Sequence, residues 1–143
     1  MLFQNDGASL KLEIVSYEFP DGGMPGSNDC NWLMMRGTYR EDDRVIVDSN
    51  SCILADELSL MAAGLKVVSA GILDSYESNL TEPYFSLTVV TEGENFRADV
   101  SFALPNTMED IDTAAVECTL TPAELKEIIG DLDQARKKFP ERK

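Results

Sequence analysis

The chain has 143 residues, of which 43% are hydrophobic and 27% charged, and this is the size and composition of one globular domain with its own core. Its 26 acidic residues outnumber 12 basic residues, and the net charge of −14 disfavours binding to nucleic acid or to an anionic membrane. There is no histidine, so one copy of the chain cannot assemble Ser-His-Asp or Cys-His catalytic chemistry.

The location predicted from the sequence is cytoplasmic. No run of about 18 apolar residues is present to span a membrane, and the first residues lack the basic flank and apolar core of a signal peptide. Cys30, Cys52 and Cys118 are odd in number and widely spaced. They are therefore predicted to be buried thiols rather than a disulfide framework or a zinc site.

The first strands are marked by their apolar patterns. Residues 9–19 alternate, with Leu10, Leu12 and Ile14 on one face, and residues 21–29 have the composition of a surface loop. The next strand begins with four successive apolar residues, Trp32, Leu33, Met34 and Met35. Because neither face is polar, we expect a central strand covered on both sides, with Trp32 as a core anchor.

Two further strands and a helix follow. An acidic turn at residues 41–43 leads into a third strand over residues 44–47. Leu58, Met61, Leu65 and Val68 then recur at intervals of three and four, which predicts an amphipathic helix between residues 54 and 70. Residues 72–76 are predicted to form a short strand.

The second half begins with the clearest hairpin. Apolar residues alternate from Phe85 to Val89 and again from Phe96 to Leu104, on either side of a turn at residues 92–94. A polar segment, residues 105–113, precedes a last strand over residues 114–120. Thr121, Pro122 and Glu124 then form a capping box that opens a C-terminal helix.

These elements predict an α+β fold. A single domain, residues 1–143, would contain a curved, mainly antiparallel sheet of about six or seven strands with two amphipathic helices packed on it. No motif indicates a cofactor or a metal. The pairs Asp110 with Asp112 and Asp131 with Asp133 lack calcium-loop spacing, so we interpret them as solvated acids.

Several stretches of the chain resemble the WapI-type immunity proteins of bacteria, which neutralise polymorphic or contact-dependent toxins. The resemblance runs along nearly the whole chain and in order. It lies in residues 10–14 with Tyr17 and Phe19-Pro20, Asp29-Cys30-Asn31-Trp32-Leu33, Cys52-Ile53-Leu54, Glu77-Ser78-Asn79-Leu80 and the C-terminal Lys137-Lys138-Phe139-Pro140-Glu141-Arg142. Departures from the family pattern occur at Val45 and Val47, at Ser78, and at residues 105–108.

The resemblance implies a non-enzymatic, cytoplasmic protein that binds and occludes a cognate toxin domain, with no catalytic residues to transfer. An acidic chain would associate rapidly with a cationic toxin such as a basic nuclease. Since binding residues concentrate on loops, we expect the acidic loops to make the contact. These residues are Asp42, Asp43, Glu92, Glu94, Glu109, Asp110 and Asp112.

Two other functions stay open at this level. One is a hydrolase that uses the same carboxylates with a divalent metal, and the other is an acidic mimic of nucleic acid that binds a DNA-handling protein. The sequence contains no motif that supports either of these two functions.

Overall fold

The computed structural model describes residues 1–22 and 28–142, with only the backbone of Asn28. Over this part of the chain, four strands and a helix are followed by four more strands and a second helix. The strands are β1 (Leu2–Gln4), β2 (Ala8–Tyr17), β3 (Trp32–Glu41), β4 (Arg44–Leu54), β5 (Ser75–Glu77), β6 (Phe85–Glu92), β7 (Asn95–Ala103) and β8 (Thr113–Leu120). The helices are α1 (Ala55–Ser69) and α2 (Pro122–Lys138), and a 3-10 turn covers Asn28–Asn31.

The strands form two antiparallel sheets in which every neighbour is also the next strand in sequence. Sheet A has the order β1-β2-β3-β4, and sheet B has the order β5-β6-β7-β8. This confirms the predicted α+β fold with two packed helices. The described chain has eight strands rather than six or seven, because the three residues of β1 are too few to show alternation, and α1 separates the strands into two sheets.

The two sheets pack face to face over a single hydrophobic core. Phe102 of β7 is fully buried and lies directly over Gly37 of β3, where a glycine leaves room for the ring. Both helices contribute to the same core, α1 through Leu58, Met61 and Leu65 and α2 through a second apolar stripe. Neither helix of the described chain is long and apolar enough to cross a membrane.

The helix ends follow the local sequence. In α2 the Thr121 hydroxyl accepts a hydrogen bond from the backbone N–H of Glu124 (3.2 Å), and the Glu124 carboxylate accepts one from the N–H of Thr121 (2.9 Å). The predicted capping box is thus confirmed. In α1 the buried Glu57 carboxylate accepts hydrogen bonds from the N–H of Leu54 (3.0 Å) and from the N–H and hydroxyl of Thr81 (2.7 and 3.0 Å). It therefore ties the start of α1 to the loop before β6.

The Trp32 strand is central in its sheet, but the prediction that both of its faces are buried was wrong. Leu33 and Met35 point into the core and are fully buried, whereas Trp32 and Met34 lie on the outer face and are only half-buried. The core cluster that both helices join includes Leu33 and Met35 but not Met34. Trp32 is accordingly outside the core cluster rather than its anchor.

Three smaller differences have local causes. The strand predicted at residues 72–76 begins only at Ser75, because Gly71 (φ 77°) ends α1 and the N–H of Ile72 binds back to Val67 O. The thiol of Cys30 is half-buried rather than buried. β4 continues to Leu54, seven residues beyond the predicted strand end. Most of the loop predicted at residues 21–29 lies outside the described residues.

Candidate functional site

The two loops that carry five of the seven predicted acidic residues are joined by an ion pair. Asp42 and Asp43 form the turn between β3 and β4, and the next residue, Arg44, donates a hydrogen bond to Asp110 at 2.8 Å. Asp110 belongs to the segment between β7 and β8, so this contact joins residues 66 positions apart. We call the resulting surface the acidic tip, and it consists of Asp42, Asp43, Glu109, Asp110 and Asp112.

The other two predicted residues lie elsewhere. Glu92 ends β6 and Glu94 lies in the turn before β7, whereas the segment bearing Asp110 leaves the opposite end of β7. The nine residues of β7 span about 26 Å at roughly 3.3 Å per residue. Glu92 faces Arg97 at 4.0 Å. The predicted residues thus form two separate groups at opposite ends of sheet B.

Arg44 is the one basic residue placed within the acidic tip. The tip's five acids and this guanidinium sum to a charge of −4, and Glu41, 3.7 Å from the Arg44 guanidinium, adds one more negative charge. The hydrogen bond that Arg44 donates to Asp110 raises the pKa of Arg44 above its ordinary value, and the charges of Glu41 and Glu109 act in the same direction. Arg44 therefore stays charged and holds the two loops together without cancelling their negative potential.

The segment between β7 and β8 is fixed to the edge of sheet A by a buried carboxylate. Asp48 on β4 is 8% exposed and accepts hydrogen bonds from the backbone N–H of Asn106 (2.7 Å) and from its side-chain amide (3.0 Å). The same amide donates to Ser49 O at 3.1 Å, and Leu104 N–H donates to Asp112 O at 2.8 Å. The acidic segment is therefore anchored at both ends and covers an otherwise open strand edge.

Asp48 and Asn106 were missed by the sequence analysis. A signal was present, because Ile46 and Cys52 are inward-facing positions of β4 and the two intervening inward positions are Asp48 and Asn50. Polar residues at core-facing positions of a strand require partners. The sequence alone did not say that Asn106 would supply one.

Three of the stretches that carry the family resemblance, those at residues 10–20, 29–33 and 137–142, meet at a second place, around Arg142. Its guanidinium donates hydrogen bonds to the backbone carbonyls of Phe19 (2.8 Å), Pro20 (3.1 Å) and Cys30 (2.7 Å). The guanidinium carbon also lies 3.7 Å from the centroid of the Tyr17 ring. A planar guanidinium suits this combination of several acceptors and a ring face.

Further contacts hold the C-terminal segment in the same position. Asn31 and Arg142 form a reciprocal pair, in which the N–H of Arg142 donates to Asn31 Oδ1 (2.6 Å) and the Asn31 amide donates to Arg142 O (2.9 Å). The Tyr17 hydroxyl donates to Pro140 O at 2.6 Å, and its ring packs edge-on against Phe139. We call the contacts of Phe139, Pro140 and Arg142 with Tyr17, Asn31 and the neighbouring carbonyls the C-terminal clasp. Because these groups bind mainly backbone atoms, we interpret the C-terminal clasp as part of the scaffold.

The thiols of Cys52 and Cys118 are buried. Burial raises the pKa of the Cys52 thiol to about 12, and burial also raises the pKa of Cys118. A protonated thiol in such a setting is a poor nucleophile. Among residues 1–22 and 28–142, no three Cys, Asp or Glu side chains are grouped so that they could hold a metal ion.

Comparison with solved structures finds only distant similarity. The chain is 13% identical to WHY1 from Arabidopsis thaliana, with a TM-score of 0.46 over 97% of this chain and 88% of that one. It is 16% identical to WHY3 from the same plant, with a TM-score of 0.43 over 97% of this chain and 86% of that one. A comparison with curated proteins finds no significant match.

A comparison with protein families gives a match over nearly the whole chain. The model of the immunity protein WapI-like family matches residues 1–140, which is nearly the whole chain and includes both sheets, both helices and the C-terminal clasp up to Pro140. The resemblance seen in the short motifs is thus confirmed over the whole fold, and the chain belongs to the immunity protein WapI-like family.

Proposed function

We propose that the protein binds a cognate bacterial toxin domain in the cytoplasm and neutralises it by occlusion, without catalysis. Membership of the immunity protein WapI-like family over residues 1–140 carries this proposal. The chain's net charge of −14 supports a cationic toxin, such as a basic nuclease, because opposite charges accelerate and orient the encounter.

The acidic tip is the proposed contact surface. Its five carboxylates come from two loops that the Arg44–Asp110 ion pair and the Asp48–Asn106 hydrogen bonds hold in place. A surface that is already ordered before binding loses less conformational entropy when a partner docks. Glu92 and Glu94 lie too far away to belong to the same compact patch, and they offer a natural comparison set.

The first experiment tests the function itself. If a neighbouring reading frame in the native host encodes a toxin domain, that domain is expressed with and without the protein, and cell survival and the toxin's activity in vitro are measured. We expect protection together with a stable complex that can be isolated. Full toxin activity in the presence of excess folded protein would contradict the proposed function.

The second experiment tests the surface with a pair of matched double variants. Asp42→Asn with Asp43→Lys changes the net charge by +3, as does Glu92→Gln with Glu94→Lys at the other hairpin. Asparagine is chosen at position 42 because Asp42 has a φ of 53°, which asparagine adopts readily.

We expect the first variant to lower the association rate about tenfold at low salt and to weaken its dependence on ionic strength. The second variant should show a much smaller change. If the association rate falls by the same factor in both variants, overall charge rather than the acidic tip governs association. The proposed position of the contact is then wrong.

A further inference from the structure

The solvent side of α1 is apolar. Leu60, Ala63, Gly64 and Val67 follow one another at intervals of three, one and three, so they lie on one side of the helix. Leu60 is 69% exposed, and Ala63 is exposed as well. A surface helix normally carries charged residues on its outer side, as α2 does at most of its exposed positions. This side of α1 therefore has the character of a surface that a partner covers.

The apolar side of α1 continues into a recess beside β5. Leu60 lines this recess of about 200 Å³ together with Tyr76 of β5 and with Leu80. The Tyr76 ring lies directly on Gly64, where a Cβ would clash with it, so the glycine lets the ring pack against the helix. We call the combined surface the α1 face, and it consists of Leu60, Ala63, Val67, Tyr76 and Leu80.

Hydrogen bonds hold the recess in shape. The Glu57 carboxylate, which also lines it, joins the start of α1 to the N–H and hydroxyl of Thr81, the residue after Leu80. Ser78 and Leu87 form a second link, in which the N–H of Ser78 donates to Leu87 O (2.9 Å) and the Ser78 hydroxyl accepts from the N–H of Leu87 (3.0 Å). Such a surface loses little conformational entropy when a partner docks.

The charges beside the α1 face are negative. Glu57 and Glu77 both line the recess, and its lining among the described residues includes no basic side chain. Lys66, the one basic residue of α1, is already bound to Asp133 at 2.9 Å. A lysine or arginine of a partner would find Glu77 and the face of the Tyr76 ring, while its aliphatic stem packs on the leucines. The α1 face thus combines an apolar centre with a border that attracts cations.

We propose that the α1 face is a second toxin contact, which binds an apolar segment of the toxin domain with a lysine or arginine placed beside Glu77. This inference rests on the proposed function and deepens it. A cationic toxin fits this border better than a second copy of the chain, whose net charge is also −14.

The two contacts are separate and have different roles. α1 begins at the end of β4 opposite Arg44, so the α1 face is not part of the acidic tip. The acidic tip determines how fast the proteins associate, and the α1 face determines how slowly they separate.

The test is the effect of Leu60→Gln on binding of the toxin domain. Glutamine has nearly the helix propensity of leucine, and Leu60→Met keeps the apolar character. Leu2→Gln is the matched control, because Leu2 is 47% exposed on β1, which lies beside β8 at the edge of sheet B opposite β5. Ala63→Glu is a second variant of the α1 face that also retains a good helix former. None of these changes removes a fully buried group, so all four variants should keep nearly the native urea midpoint.

We expect Leu60→Gln and Ala63→Glu to raise Kd at least tenfold through faster dissociation, with the association rate of Leu60→Gln unchanged. Leu60→Met and Leu2→Gln should bind within about threefold of the native protein. Glu77→Gln should raise Kd more than Glu94→Gln does, and equal effects would refute the basic residue placed beside Glu77.

Unchanged dissociation rates for Leu60→Gln and Ala63→Glu would overturn the inference while the native protein still binds and neutralises the toxin, so the proposed function would stand. Absence of binding by the native protein would contradict the function itself, and the inference with it.

Self-association is the remaining outcome. If the native protein is a dimer at micromolar concentration and Leu60→Gln makes it a monomer, the α1 face binds a second copy of the chain, and the toxin-contact inference is wrong. Analytical ultracentrifugation of both proteins without toxin distinguishes these cases.

Discussion

Replacing Gly37 by alanine tests the packing of the two sheets at its tightest point. An added Cβ would lie 2.5 and 2.6 Å from two ring carbons of Phe102 and 3.4 Å from Leu12 Cδ2. Both neighbours are buried, so the ring has no open space into which it could move. Separating these atoms to normal contact requires a shift of about 1 Å between the sheets, and such overpacking typically costs about 1–3 kcal/mol.

The same substitution also has a stabilising effect, through the unfolded chain, that is smaller than the cost of overpacking. Alanine restricts the unfolded chain more than glycine does and so stabilises the fold by about 0.4–1 kcal/mol where the site accepts it. We therefore expect Gly37→Ala to lower the free energy of unfolding by about 1 kcal/mol. With a typical urea dependence of about 2 kcal/mol per molar for a domain of this size, the midpoint should fall by about 0.5 M.

Urea unfolding, followed by Trp32 fluorescence and by circular dichroism, measures this change. In a double-mutant cycle, Phe102→Leu should relieve a large part of the effect, giving a coupling energy of about 1 kcal/mol or more. Gly130→Ala is the control, because nothing lies within 4 Å of its added Cβ and alanine favours the interior of α2 by about 1 kcal/mol. A Gly37→Ala protein as stable as the native one would refute the packing argument.

Three further predictions concern single side chains. Asp133→Asn should cost under about 1 kcal/mol at pH 7, because the hydrogen bond from Lys66 lowers the pKa of Asp133 below its usual value. That stability is present above the unfolded pKa and lost as pH falls through the folded one, so the thermal melts of the two proteins should converge once the pH lies below the folded pKa. Cys52, with a pKa of about 12, should resist iodoacetamide at pH 8 until the protein is unfolded, and rapid native alkylation would contradict its burial. Arg142→Lys should destabilise the fold by about 1–2 kcal/mol, because lysine cannot reach all three carbonyls of the clasp. Urea unfolding measures this change, and an unchanged midpoint would show that the clasp adds no stability.

The sequence predicts those parts of the fold where the residue pattern is compatible with only one local structure. Strict alternation from Phe96 to Leu104 assigns the inward face of β7, and the hydrogen-bonding groups of Thr121 and Glu124 determine where α2 begins. For the Trp32 strand the pattern does not decide which face is buried, because apolar residues occupy both faces. Irregular pairing on both sides of β3, near Met34, accompanies the burial of Leu33 and Met35, and one sequence shows no sign of it.

The candidate site divides in the same way. That the acids lie on loops follows from local turn chemistry, and in the structure six of the seven do, while Glu92 is the last residue of β6. That Asp43 and Asp110 share a surface while Glu94 does not depends on how sheet B packs against sheet A, which involves residues far apart in sequence. Met108 could not be recognised as exposed, because its position depends on Asp48 binding Asn106.

The succession of four strands and a helix, repeated once, has a consequence for how the molecule folds. Every strand pairs only with its neighbour in sequence, so each sheet can form through short loop closures within its own half of the chain. The contact of Phe102 with Gly37 instead joins the two halves. We expect this docking to come after the rate-limiting step, so that Phe102→Leu accelerates unfolding and leaves refolding nearly unchanged, giving a φ-value near zero in stopped-flow measurements. A φ-value near one would mean that the two halves meet before either sheet is complete.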